Sequence, residues 1–487
     1  MKQINNYNNN IKNSAGFGSL LILFGLYFLA RMLMTGAYNV SIYNLVTLVL
    51  FIVTIFTFVY FEKSPINTAI FISLLYVFQN TIIGLGLNFS KSEVITQYNS
   101  IQTIIALSSL YGILVFAIIW LDSPNKIVGN YEKIGFVMLI TTIIYMFIGE
   151  FNFVVSLGYA RNLFLFIMFP LIGRMIVKHV RDIKIFLNYI FTISVFVALF
   201  GFVEMLFFTN DIWYSILHLD IVLNAKGMIV RNFSNLPSLF YTLLFEYKFR
   251  RMASFFMEPV NLSYFFAVPL ILSFVLKKRI LFVVFSLALI LTFGKGGWLV
   301  TFIGICSILL LKLKEFQRKD GFTKLFLITL VLFVVLAYLY FKISPGTALP
   351  HLWGLMAIEQ SLLNTPFGHG LGSGGNFAAI DFEGNWMNLL NTGAESGVSA
   401  LAYKMGIIGT SLYIFFILSL GSTLFKIYLE QKNEEIGRIA LACCGMLLGI
   451  LFGSIFQENP LGPQTNHLAL LLSGIVIGYS NFIKKSL

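Results

Sequence analysis

Read along the chain, the sequence is a succession of unbroken apolar runs separated by polar connectors, each run about as long as a helix that crosses a bilayer. The runs fall at 17–35, 43–61, 66–87, 102–121, 134–150, 153–175, 185–208, 260–276, 279–293, 297–312, 324–342, 398–420, 438–456 and 466–483. None has the period-two alternation of a transmembrane β-barrel strand. The pattern predicts an all-α polytopic membrane protein with about fourteen transmembrane helices, forming a single transmembrane domain over 1–487. The first run lacks a small-residue cleavage site and reads as a retained helix rather than a signal peptide.

Two connectors are far longer than the others, 210–259 and 343–397. Both contain aromatic residues, and His351 to Asn364 has amphipathic helical spacing. Ordered connectors of this length usually carry binding or catalytic groups, the alternative being a cap that only stabilises the bundle.

Composition agrees with lipid as the outer solvent. Hydrophobic residues make up 58% of the chain and charged residues 11%, too few to cover a soluble globule. The formal net charge of +12 reflects connector residues such as Lys277-Lys278-Arg279 and Lys312 to Lys324, so no nucleic-acid partner is expected. With the N-terminus inside, the inner connectors hold about 22 Lys and Arg and the outer ones about 8. This predicts cytoplasmic termini, Lys484-Lys485 included, and places both long connectors outside as extracytoplasmic loops. Cys306, Cys443 and Cys444 lie in apolar runs and read as small hydrophobes rather than disulfides or ligands.

Charges within apolar runs are costly and therefore candidates for function. They are Arg31, Arg161, Glu204 and Lys404, with Glu150 and Lys295 at outer ends. At ~1.5 Å rise per residue, Arg161 lies roughly 12 Å and Lys404 roughly 10 Å below the outer boundary. Arg31 and Glu204 are close enough to it to snorkel. All six belong to the outer half, and the inner half reads as apolar. Four cations against two acids favour an anion at headgroup depth, such as a lipid phosphate. The acids Asp381, Glu383 and Glu395 lack ligand spacing on one rigid element, so no metal or other cofactor is expected. The string Gly370-Leu-Gly372-Ser-Gly374-Gly375 has no preceding strand and is not a dinucleotide site; its backbone N–H groups could cradle an anion, with His369 in the same turn.

The second loop reads Thr365-Pro-Phe-Gly-His-Gly-Leu-Gly, and later Glu395-Ser396, nine residues and Gly406-Ile-Ile-Gly409. With Arg251-Met-Ala-Ser-Phe-Phe-Met-Glu258-Pro259 and Leu291-Thr-Phe-Gly-Lys-Gly-Gly-Trp298, this order resembles the O-antigen polymerase and O-antigen ligase superfamily. The resemblance covers roughly 250–410 and implies a metal-independent, inverting, GT-C-like glycosyltransferase. Such an enzyme acts at the outer face of the bacterial cytoplasmic membrane on undecaprenyl-diphosphate-linked oligosaccharides, alongside flippase and chain-length-regulator proteins. Glu395 stands where the ligases have histidine, Lys404 where they have an acidic residue, and Gly294-Lys295 where Ser-Arg is usual. These departures favour a repeat-unit polymerase; a ligase and a non-enzymatic flippase or exporter are the alternatives. A diphosphate leaving group needs fixed cations, for which the candidates are Arg161, Arg251 and Lys404, then Arg250 and Lys295. The acceptor hydroxyl needs a group to orient or deprotonate it: Glu395 first, Glu258 second, His369 third. For Glu258 the competing reading is helix-start duty before Pro259, and for Glu395 a charge favourable to the helix dipole.

Overall fold

The computed structural model describes residues 65–87, 129–149, 153–177, 179–209, 212–225, 232–233, 236–244, 247–318, 320–343, 361–373, 396–431 and 434–486, with a few isolated positions at 113–120 and 358–359. Among these are twelve α-helices: α1 (Ile66–Leu87), α2 (Asn130–Tyr145), α3 (Phe153–Met175), α4 (Asp182–Phe207), α5 (Leu219–Ala225), α6 (Pro259–Val275), α7 (Arg279–Thr292), α8 (Lys295–Leu311), α9 (Gly321–Ile343), α10 (Gly397–Glu430), α11 (Glu435–Phe456) and α12 (Pro463–Ser486). All but the short α5 coincide with apolar runs in the sequence. The runs at 17–35, 43–61 and 102–121 lie wholly or mostly outside the described residues. Six helices are long and apolar enough to cross a membrane: Ile66–Gly84, Val155–Met175, Asp182–Phe207, Gly397–Glu430, Glu435–Phe456 and Pro463–Lys484. The chain is thus mostly helical, with an interior built like that of a membrane bundle.

Local sequence fixes where the helices begin. Pro259 starts α6 at the position where its missing N–H costs nothing. The Ser396 hydroxyl caps α10 by accepting from Ser399 N at 3.2 Å. Close packing comes from small residues: a Cβ on Gly474 or Gly478 would strike the backbone of Pro170 or Arg174, so α12 lies directly against α3. Gly445 of α11 meets the Gly304 carbonyl of α8 in the same way. Other faces are openly apolar, among them Ile280, Val283 and Leu287 on α7 and Leu327, Val331 and Val334 on α9, as contact with lipid requires.

The first long loop folds as a π-helical turn (Ile212–Ile216), then α5, then two antiparallel hairpins. Strands β1 (Asn232–Phe233) and β2 (Leu236–Pro237) pair Phe233 with Leu236. Strands β3 (Tyr241–Leu244) and β4 (Tyr247–Arg250) pair Tyr241 with Arg250. Among the described residues the β-structure is confined to this loop, where the ring of buried Trp213 packs edge-on against Phe240 and Phe208. In the second long loop the amphipathic stretch expected at 351–364 is helical over its described end, 361–364.

Alternation of helix direction brings the C-terminal ends of α1, α2, α4 and α11 together with the N-terminal ends of α3, α6, α10 and α12. Hydrogen bonds join them there, including Thr81 to Phe255, Tyr145 to Phe367 and Gln464 to Gln79. The other end is not the apolar region the sequence suggested. Arg174 Nε meets Glu132 Oε1 at 2.6 Å, both buried, and the Glu132 carboxylate also accepts from Tyr131 Oη and Gly129 N. Each charge sits at a helix end and so reads as a connector residue, but neighbouring helices cover both.

Candidate functional site

Arg251 stands between β4 and α6, held from both sides. Its backbone N–H donates to Phe240 O at 2.8 Å, and the next N–H, of Met252, donates to Leu291 O at 2.9 Å. The guanidinium donates through Nε to Thr292 O (2.8 Å) and through Nη1 to Leu239 O (3.1 Å). The first loop and the end of α7 are thereby tied through one side chain. Burial pushes the Arg251 pKa down to about 10, while the nearby Glu258 carboxylate opposes that shift.

The chain then turns sharply. Ser254 and Met257 adopt left-handed backbone (φ 46° and 52°), a conformation that costs energy in non-glycine residues and persists only when its surroundings fix it. Here they do: Ser254 Oγ donates to Val197 O at 2.8 Å, Thr81 Oγ1 to Phe255 O at 2.7 Å, and Asn80 Nδ2 to Phe256 O. The turn delivers Glu258 to the N-cap position of α6, buried. Its side chain makes no cap hydrogen bond, so helix-start duty does not explain the carboxylate. Instead Oε2 accepts from Asn261 Nδ2 at 2.6 Å and Oε1 from Asn459 Nδ2 at 3.4 Å. Amides extend the network: Asn459 Nδ2 to Asn261 Oδ1 (2.8 Å), Asn261 Nδ2 to Gln464 Oε1 (3.2 Å), then Gln464 Nε2 to Gln79 Oε1 (3.0 Å) and Asn80 Oδ1 (3.1 Å).

Glu204 and Arg250 form a separate unit. Glu204 is fully buried and does not snorkel. Its Oε2 accepts from the backbone N–H groups of Ala253 (3.1 Å) and Ser254 (3.2 Å), and its Oε1 meets Arg250 Nη2 at 3.1 Å. Arg250 Nη1 donates to Phe208 O at 2.9 Å. The pair staples the loop to α4, and the Arg250 guanidinium is engaged in that task rather than turned to a ligand.

The glycine string and the Gly406-x-x-Gly409 segment prove to be two halves of one backbone interlock. Gly406 breaks α10 with φ 59° and ψ −153°. The break frees the carbonyls of Tyr403 and Lys404, which accept from His369 N (2.9 Å) and Gly370 N (2.8 Å). Ile407 N, deprived of its helical partner, donates to Pro366 O at 2.8 Å. Gly368 N donates to Thr365 O and Leu371 N to Tyr145 O. At residues 370 and 371 this pattern corrects the expected anion cradle, since those N–H groups, like the ones of 368 and 369, already serve backbone carbonyls; Gly374 and Gly375 lie outside the described residues. His369 is half-buried, its ring against Tyr403 at 4.4 Å between centroids and its Nε2 3.2 Å from Thr365 Oγ1.

Lys404 is buried beneath the interlock. Its Nζ donates to Ser373 O and lies 3.6 Å from the centroid of the Tyr159 ring. A pocket opens beside it, lined by Tyr159, Asn162, Leu163, Lys404, Glu458 and Leu461 among others. Arg161, half-buried, donates through Nε and Nη2 to Asn162 Oδ1 at 3.2 and 3.0 Å. Lys295 is exposed at the first position of α8. Beside it Gly294 and Gly297 let that turn lie against Ser263 of α6, where side chains larger than glycine would collide. Glu395, Glu150 and Arg31 lie outside the described residues.

The structure thus places Arg251 near the Glu258 network, and Lys404 at one pocket with Asn162, to which Arg161 is hydrogen-bonded. The turn Gln457–Gln464 joins them, with Glu458 in the pocket and Asn459 on Glu258. Sequence reading passed over this turn, and with it Asn261, Asn459, Gln464, Gln79 and Asn80. The signal was present: Gln457 to His467 is densely polar for a short connector, and Gln79-Asn80 interrupts an apolar run. Among the described residues no group of three or more His, Cys, Asp or Glu could hold a metal ion. No protein-family model and no curated protein matches the chain. Fold and site together define a helical membrane protein with a buried polar site at one end of its bundle.

Proposed function

We propose that the protein is an inverting glycosyltransferase that polymerises undecaprenyl-diphosphate-linked oligosaccharide repeat units into a surface polysaccharide. The full chain crosses the bacterial cytoplasmic membrane about fourteen times with both termini inside, and the polar end of the bundle faces outward. In the reaction an acceptor sugar hydroxyl attacks the anomeric carbon of the donor. The bond from that carbon to the diphosphate oxygen breaks with inversion, and the hydroxyl proton passes to a carboxylate. Arg251, Lys404 and Arg161 offset the charge that grows on the diphosphate. Arg250 and Lys295 stand behind these three as further cations. Glu395 is the first candidate to accept the proton, then Glu258 and His369.

The observation that carries this reading is the joining of the segments on which the family resemblance rests. Arg251 and Met252 hydrogen-bond to Thr292 and Leu291, so the first and second segments interlock. Residues 366–370 interlock with 403–407. Independently weak strings that meet at one end of a bundle are better explained as parts of a single site than as coincidences.

Deletion of the gene tests the proposal. A polymerase predicts loss of long polysaccharide with accumulation of single lipid-linked repeat units. Long chains retained on the lipid carrier would instead indicate a ligase. Repeat units trapped on the cytoplasmic face would indicate a flippase.

A further inference from the structure

Asn459 contacts the Glu258 carboxylate from outside helix α6. Its position is set by a tight, well-anchored turn. Glu458 and Pro460 flank it in the 3₁₀ segment Asn459–Leu461; Thr465 Oγ1 donates to the Asn459 carbonyl at 2.6 Å, and Asn466 Nδ2 to the Pro460 carbonyl at 2.9 Å. With backbone so fixed, the Asn459 amide has little freedom, and its Nδ2 is aimed at two acceptors, Glu258 Oε1 and Asn261 Oδ1. The polarity of the chain follows from the carboxylate. An ionised Glu258 can only accept, so Asn261 and Asn459 must both turn N–H groups toward it, and Asn261 must present its oxygen to Asn459. Reversing any one amide would set donor against donor within a buried cluster, where an unsatisfied group is expensive.

From this geometry we propose that Asn459 is a positioning residue: it fixes the Glu258 carboxylate beside Arg251 and couples that pair to the Lys404 pocket through Glu458, the adjacent residue in the same turn. The inference rests on the glycosyltransferase reading only for what the site binds, an isoprenoid diphosphate. The coupling of residues 258 and 459 does not depend on it.

The test exchanges the two partners. Asn459→Asp keeps the shape and replaces a donor by a second carboxylate, so that two acids and the Asn261 oxygen face one another. One acid then binds a proton, or the cluster opens. The double variant Glu258→Gln with Asn459→Asp restores one donor and one acceptor with reversed polarity. Thermal unfolding of the purified full-length protein in detergent should show Asn459→Asp clearly destabilised and the double variant recovering at least half of the lost Tm. Simple addition of the two single effects would overturn the proposal. The second readout is the affinity for farnesyl diphosphate against pH. Wild type should be flat between about pH 6 and 8, whereas Asn459→Asp should weaken about tenfold over that interval as the carboxylate pair loses its shared proton. A flat profile for Asn459→Asp, with Tm alone lowered, would reduce Asn459 to a structural brace and also overturn the proposal. Should wild type bind no farnesyl diphosphate while the exchange still restores Tm, the diphosphate reading fails and the positioning role stands.

Discussion

Replacing Gly406 by alanine probes the interlock at its centre. At φ 59° and ψ −153° an L-residue is held in a region nearly reserved for glycine, at a cost of about 1–3 kcal/mol. Space is also lacking. The new Cβ would fall on the Pro366 carbonyl oxygen, 2.6 Å from Phe367 C and 2.7 Å from Gly368 N, and these are backbone atoms that cannot swing aside. The alternative is for α10 to straighten. Ile407 N would then regain its helical acceptor, and alanine would contribute about 1 kcal/mol of helix propensity. Straightening, however, leaves Pro366 O, His369 N and Gly370 N without the partners they now have, at about 1–3 kcal/mol for each that stays buried. Either route gives a net loss of about 3 kcal/mol. Thermal unfolding in detergent, followed by intrinsic fluorescence, should show Tm lower by several degrees. Limited proteolysis should cut within 365–373 faster than in wild type. An alanine variant with wild-type Tm and an equally protected segment would refute the interlock as a source of stability.

Other outcomes follow from the same contacts. Glu204→Gln should destabilise by about 2–4 kcal/mol, because an amide that keeps one acceptor cannot satisfy Arg250 and two backbone N–H groups at once; chemical denaturation reads this directly, and the loss should exceed that of Arg250→Ala. Arg251, with its folded pKa depressed to about 10, loses its proton from the folded state before the unfolded one. Its charge is therefore intact at neutral pH, so diphosphate affinity should hold from about pH 7 to 9 and fall as pH approaches 10. Stability attributable to this group should rise, not fall, over that upper range, since the unfolded chain then binds more protons. A cysteine at Tyr247, 72% exposed in the first long loop, should react with a membrane-impermeant reagent from outside intact cells, and one at exposed Glu315 should not; the reverse result would invert the orientation.

How far the sequence led depends on the kind of signal. Helix positions were legible because a bilayer demands long apolar runs: the runs at 66–87 and 153–175 match α1 and α3 end to end. Charge depth pointed to Lys404 as buried, but not to what it holds. Glu204 looked like a snorkelling acid because its distance from a helix end is visible in sequence, whereas the backbone N–H groups of Ala253 and Ser254 that it binds arrive from a loop about fifty residues on. Gly370 was read as part of a tight backbone, but the positive φ of Gly368 and Gly406 was not foreseen. A free N–H cradle and an interlock have the same composition, and only the pairing of two segments separates them. Asn261, Asn459 and Gln464 escaped notice because a single amide, within an apolar run or a connector, does not reveal its partners until tertiary structure aligns it with others.

The most direct test of the central claim is a reconstituted transfer assay. Purified protein in proteoliposomes would be given oligosaccharide repeat units linked to undecaprenyl diphosphate, and chain growth and free undecaprenyl diphosphate would be measured together. Wild type should lengthen the glycan and release one undecaprenyl diphosphate for each new linkage. Arg251→Ala, still folded by its unfolding curve, should slow both by about a hundredfold or more, the scale expected when a fixed charge facing the leaving group is removed. Lipid-linked units that cross the membrane unchanged, with neither product formed, would contradict the account.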